Sequence, residues 1–191
     1  MTLSPAAPAL VVVQHHEKFP EPEFSQLSRR VFAQIQQPST EWAQVMQAEA
    51  AALASVSRDE AAPVPPSPMR RWVAYWGDEW VGWSTGWMDR GQVFYMAHSG
   101  VLPEHRRRGI YSALLTAVCQ YAQDQAAVAV RSQHSVLNNP VLVAKLRAGF
   151  HVTGLSHAAH MGTLVELTRH LSEGRQALFR TRSLPYVPPE A

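Results

Sequence analysis

The chain has 191 residues, 46% of them hydrophobic and 17% charged, which suits one packed domain and excludes wholesale disorder. Seventeen Lys+Arg against 15 Asp+Glu give a net charge of +2, too close to balance for a general nucleic-acid binder. The longest clean apolar run, Ala9 to Val13, is far short of the roughly 20 residues of a spanning helix, no secretion leader is expected, and the single cysteine, Cys119, excludes an internal disulfide or a multi-thiolate metal site.

Residues 1–8 read as a tail, and Ala9 to Gln14 as a short strand of the buried type. Pro22 sits where a first helical turn tolerates proline. Phe24, Leu27, Val31 and Ile35 follow at spacings of three and four, predicting a helix with one apolar face. Ser39 caps a second helix, with Glu41 in its first turn, running to about Ser55. Ala61 to Pro68 is a stiff, extended connector. Beyond it, Arg70 to Trp76 and Trp80 to Asp89 alternate around Gly77-Asp78, a hairpin signal, and Gln92 to Leu102 is a third strand of the same meander. A helix over 107–123 places Ile110, Leu114, Ala117 and Tyr121 on one face. Ala126 to Ser132 is a strand, Asn139 to Arg147 a short helix, and Phe150 to Leu155 and Thr163 to Thr168 are strands. Residues 176–191 read as a second tail, leaving a single domain over 9–175. Nine of the 14 prolines precede residue 70 and all ten glycines lie between Gly77 and Gly174, so the continuous framework belongs to the centre of the chain. The order of elements predicts an α/β fold with a sheet of mixed direction flanked by helices.

The junction from Ser99 to Leu115 carries the most chemistry. A strand ends near Pro103, the basic turn Arg106-Arg107-Arg108 follows, and Gly109 opens an amphipathic helix. Free N–H groups at a positive helix end, one glycine that permits close approach and adjacent arginines make an anion site suited to phosphate. A solvated basic turn is the bland alternative. The turn is neither a P-loop, lacking Gly-Lys-Ser/Thr, nor a dinucleotide fingerprint, having only Gly109.

Arg106-Arg-Arg-Gly109-Ile-Tyr resembles the acyl-CoA-binding motif of the GNAT superfamily of N-acetyltransferases, Gln/Arg-x-x-Gly-x-Gly/Ala. Val101-Leu-Pro-Glu104 is similar to the family's strand end, and Asn138 to Phe150 is similar to its Asn-containing short helix followed by Gly-Phe. The resemblance covers about residues 92–156. It implies a mostly antiparallel sheet splayed at two parallel central strands, 92–102 and 126–132, with acetyl-CoA as co-substrate in the cleft. Backbone groups of Ser99, Gly100, Val101 and Leu102 would pair with the pantetheine arm, and N–H groups from Arg107, Arg108, Gly109, Ile110, Tyr111 and Ser112, with Arg106 beside them, would hold the pyrophosphate. Asn138 would touch the cofactor from the far side, and the Ser99 N–H, by register to the family, would stabilise the oxyanion. Two positions depart from the pattern. Tyr111 replaces the usual Gly or Ala, so its ring must turn away from the pyrophosphate or lie against CoA. Lys145 stands where many members carry the tyrosine that protonates the departing thiolate. On a short helix, Lys145 is expected to be solvated and receives no role. Tyr95 occupies the place of a catalytic glutamate found in some members, leaving His98, Tyr95 or water as the base; His98 serves equally well as a buried structural histidine.

Five of the six tryptophans fall within 16 residues, from Trp72 to Trp87. Trp72 and Trp76 share one sheet face and Trp83 and Trp87 another, as packing, with one or two lining an acceptor cleft. His15-His16 and His157-x-x-His160 lack a Cys or carboxylate partner at ligand spacing, and no metal is expected. Cys119 reads as a small core residue. The resulting expectation is a cytoplasmic acetyl-CoA-dependent N-acetyltransferase that transfers acetyl directly to a small-molecule or peptide amine. Neither nucleic acid nor membrane is an expected partner, and a homodimer is allowed. The rival readings are a non-catalytic acyl-CoA-binding or sensing module and a nucleic-acid contact at Arg106–Arg108.

Overall fold

A computed structural model describes residues 11–32, 44, 47–48, 67–158 and 161–183. Most of the helix expected over 39–55, most of the proline connector and residues 1–8 and 184–191 lie outside the described residues. Seven strands form one sheet in the order β1-β2-β3-β4-β5-β7-β6. They are β1 (Val11–His16), β2 (Arg70–Trp76), β3 (Glu79–Asp89), β4 (Val93–Val101), β5 (Ala129–Ser135), β6 (His151–Ala158) and β7 (Gly162–His170). Helices α1 (Glu23–Phe32), α2 (Ile110–Asp124), α3 (Asn139–Arg147) and α4 (Glu173–Ser183) flank it. Among the described residues no helix is long and apolar enough to cross a membrane.

The β2–β3 hairpin and the β3–β4 step are antiparallel, as the alternation predicts. β4 and β5 run parallel, and their pairing covers only Val93↔Ala129, Phe94↔Val130 and Tyr95↔Arg131. Beyond Tyr95 and Arg131 the two strands part, and the sheet splays there into a V.

Alternation gives the sheet two different faces. Trp72, Val81, Phe94, Met96 and Leu167 pack with Ile110, Leu114 and Val118 of α2 in the main core. Leu27 and Val31 of α1 pack with Trp83 and Leu102 in a second cluster. At about 1.5–3 kcal/mol per fully buried aliphatic side chain, Leu27 and Val31 suffice to seat α1 on the sheet. The tryptophans divide as expected, Trp72 and Trp76 towards the main core and Trp83 towards α1.

Several boundaries differ from expectation, with β5 running on to Ser135 and β6 to Ala158. Helix α2 opens at Ile110 rather than 107, because Arg107 (φ 63°) and Gly109 (φ 80°) are left-handed. Strand β5 begins at Ala129 rather than Ala126, since α2 runs to Asp124 and Ala126 turns at φ 54°. Residues 173–183 form α4, so the boundary expected after residue 175 falls inside a helix. That helix is held by Gln176 Nε2 donating to the His170 carbonyl at 3.0 Å, and by Phe179 lying 4.9 Å from the His151 ring.

Candidate functional site

Past the last parallel pair, β4 runs on to Val101 and leads through a short turn into the N-terminus of α2, while the second half of β5 diverges from it. Thr85 of β3 faces two β4 residues, because Ser84 pairs with Ser99 while Gly86 pairs with Met96. Ala97 and His98 are therefore a bulge, a device that re-aims a strand next to a site. Thr85 Oγ1 accepts from the His98 N–H at 3.3 Å and so pins the bulge. The His98 side chain is exposed rather than a core histidine. Ser99 meets Ser84 hydroxyl to hydroxyl at 3.0 Å. Gly100 is small because Trp83 covers it: a Cβ there would collide with the indole. The Leu102 N–H is given to the Val81 carbonyl and its own carbonyl accepts from the His105 N–H, both at 2.9 Å, so Leu102, expected to pair with the arm, has both backbone groups taken.

A short turn, Pro103–His105, leads into the basic segment. Arg106 folds back, its Nε donating to the Val101 carbonyl at 3.3 Å and its guanidinium reaching the Val31 carbonyl at 3.5 Å; it ties β4 to α1. Arg108 lies over the Trp76 ring at 5.5 Å. Gly109 caps α2 with no side-chain hydrogen bond, and a Cβ built on it meets nothing within 4 Å. The first-turn N–H groups of α2, at Ile110, Tyr111 and Ser112, have no intrahelical partner, the arrangement that receives an anion. Ile110 itself is buried and anchors the turn in the core. The Tyr111 ring turns inward against the core, and its Oη is buried without a partner. Burial raises the pKa of that phenol, so it stays protonated. Asn138 is the N-cap residue of α3, yet its side chain makes no capping bond and stays free.

Lys145 overturns the solvated placement expected from the sequence. It is fully buried, with Nζ 3.2 Å from Met96 Sδ and 4.3 Å from the Phe150 ring centroid. Met96 is the first β4 residue beyond the last parallel pair, so the amine sits at the apex of the V. Desolvation lowers the Lys145 pKa to about 7. Ser132, the β5 counterpart of Met96, is buried too, and its Oγ lies 3.2 Å from His134 Nε2. Burial first, and the Lys145 charge second, push His134 down to about 4, which keeps the imidazole neutral. Cys119 lies in the same core, and burial raises its thiol pKa. Sequence reasoning missed Ser132 and His134. Ser132 stood at the end of the predicted strand and His134 beyond it, and only the extension of β5 to Ser135 brings the two together.

Tyr95 belongs to the other face. Its ring is 5.1 Å from Trp87, and it lines a cavity of about 360 Å³ with Asp89, Arg131, Gln133 and Glu166. Burial raises its pKa, so the phenol keeps its proton near neutrality. Among the described residues no group of three or more His, Cys, Asp or Glu side chains gathers as a metal site.

The acetyltransferase (GNAT) family model matches residues 24–150. No curated protein matches the sequence significantly. Solved structures share the fold at low identity. Ard1 from Thermoplasma volcanium is 16% identical with a TM-score of 0.60, over 85% of this chain and 99% of that one. A Bacillus subtilis acetyltransferase in complex with CoA is 13% identical with a TM-score of 0.59, over 85% and 100%. Nourseothricin acetyltransferase is 22% identical with a TM-score of 0.52, over 61% and 75%.

Proposed function

The chain belongs to the acetyltransferase (GNAT) family, and from that premise we propose that it moves an acetyl group from acetyl-CoA directly to the amine of a small-molecule or peptide acceptor. The observation that carries this is the parting of β4 and β5 after three parallel pairs, beside an uncapped helix N-terminus with open space at Gly109. An extended pantetheine arm would lie along the freed edge of β4 from Ser99 to Val101, and its pyrophosphate would meet the N–H groups from Arg107 to Ser112. Arg106 shapes the turn rather than holding phosphate, since its side chain is spent on Val101 and Val31. The free Asn138 side chain would reach the donor from the opposite wall.

In the chemical step a neutral acceptor amine gives its electron pair to the thioester carbon, and the Ser99 N–H receives the developing oxyanion. Collapse forms the C–N bond and breaks the C–S bond. The departing thiolate takes its proton from the buried Lys145 ammonium, and the acceptor nitrogen gives its own to His98 or to water. Tyr95 suits the base role least, because its phenol is held protonated. A pKa near 7 lets Lys145 donate at neutral pH and regain a proton each cycle.

Release of free CoA, followed with and without a panel of primary amines, tests this. Amine-dependent release is expected. Acetyl-CoA binding by calorimetry without turnover of any amine would instead make the chain an acyl-CoA-binding or sensing module.

A further inference from the structure

Trp87, Asp89, Tyr95, Arg131, Gln133 and Glu166 surround the cavity of about 360 Å³ on the face opposite α2. We propose that this cavity is the acceptor's seat and takes a primary ammonium carried on a flat apolar body, with Glu166 as its counter-charge; this rests on the acetyltransferase reading above.

Position places the cavity at the reaction. Tyr95 and Arg131 are the last paired residues before the V opens. Glu166 faces Gln133 in the β5–β7 register, two residues further along β5. Two residues of strand are about 7 Å, which sets Glu166 level with the Ala97–His98 bulge. A group held there lies across the sheet from the apex where Lys145 Nζ meets Met96.

Charge selects the ligand. Two carboxylates and one guanidinium line the cavity, and the guanidinium is taken: Arg131 Nη2 bonds Asp89 Oδ2 at 2.8 Å. Arg131 Nε is buried, out of a ligand's reach. Glu166 accepts from Thr153 Oγ1 at 3.2 Å, and among the described residues no cation pairs with it. The Tyr95 ring already carries the Arg131 guanidinium at 5.9 Å, so one negative charge is left over beside the Trp87 ring, and a cation is drawn to a carboxylate and to a ring face alike. A carboxylate on the ligand would meet Glu166 with no free cation to answer it. The floor is held by Gln133, which accepts from the Tyr95 hydroxyl at 3.5 Å and donates to Ser156 Oγ at 3.4 Å. The two rings, 5.1 Å apart and tilted 50° to each other, pack together as one apolar wall against which a flat body can lie.

Phenethylamine and phenylalanine separate these effects, since they differ only by a carboxylate. Phenethylamine is expected to bind the wild-type protein without acyl donor in ligand-observed NMR, and to be acetylated with kcat/KM at least tenfold above phenylalanine. Glu166→Gln should raise KM for phenethylamine about tenfold or more and narrow the preference, leaving acetyl-CoA binding by calorimetry unchanged. Trp87→Leu should raise the same KM. Equal or better use of phenylalanine, an unchanged KM in Glu166→Gln, or no phenethylamine binding to the wild type each overturns the assignment. Failure of acetyl-CoA to bind the wild type would fault the acetyltransferase reading instead, and donor-free phenethylamine binding would still judge the cavity.

Discussion

Lys145 places an amine where solvent cannot reach it, with a thioether and an aromatic ring as its near neighbours. Its pKa is depressed from 10.5 to about 7, so between those values the unfolded chain binds more protons than the folded one. Stability therefore rises with pH across that window, by at most about 1.4 kcal/mol per unit from this group, and the cost of the buried charge is fully present below pH 7. Lys145→Met should flatten that slope in denaturant titrations and stabilise the fold at pH 6. The same variant should lose about a hundredfold in kcat and the fall in kcat above pH 7, if this ammonium protonates the thiolate. Full activity in a folded Lys145→Met would remove it from the mechanism. His134 acts the same way lower down: held at about 4 against 6.5, it should lower stability as pH falls from 6.5 to 4. His98→Ala tests the other proton, with a loss of about a hundredfold near neutrality that recovers as higher pH deprotonates the amine unaided. Cys119→Ala should keep turnover and cost on the order of 1 kcal/mol through a small cavity. A trapped acetyl-cysteine would refute that structural role.

Two glycines decide what the elements at the cleft can do. Gly109 holds α2's first turn open at φ 80°. Gly109→Val would fill that space with a branched side chain and strain the left-handed backbone, so CoA affinity should drop at least tenfold, well beyond the loss of stability. Unchanged CoA binding by calorimetry in a folded variant would show that the helix N-terminus is not the anion site. Gly100 serves packing between elements, because the Trp83 ring occupies the space of its missing Cβ. Gly100→Ala should cost about 1–3 kcal/mol by overpacking and shift the end of β4. A smaller indole substitute, Trp83→Phe, should relieve part of that loss in the double variant. The order of strands and helices was legible from periodicity and turn residues, and so was the glycine-opened helix. Helix α4 was not, since Leu178 is exposed and Phe179 is the apolar residue that meets the sheet, leaving no apolar stripe to read.

The described residues form two sheet halves joined by one short parallel seam, and under the proposed function donor and acceptor would meet from opposite faces at its open end. Holding both reactants in one cleft can lower the barrier by roughly 7–11 kcal/mol, so no covalent acetyl-enzyme is needed. Initial-rate lines should intersect as acceptor concentration is varied. Parallel lines would indicate a covalent intermediate and exclude direct transfer.

Local features were legible from residue order alone: alternating strands, the hairpin at Gly77-Asp78, the short helix at Asn139 and the glycine-opened turn after Arg106–Arg108. Each depends on neighbours within a few residues, where periodicity and backbone preference act. The tertiary structure alone decided which side chains face the cleft. Lys145 reads as a surface residue on a short, weakly amphipathic helix, and only the approach of β4 and Phe150 buries it. Glu166 and Trp87 lie 79 positions apart and share a cavity only because β5 sits between β4 and β7 in the sheet. Burial and charge pairing are set by residues distant in the chain, so they arise with strand order and not before it.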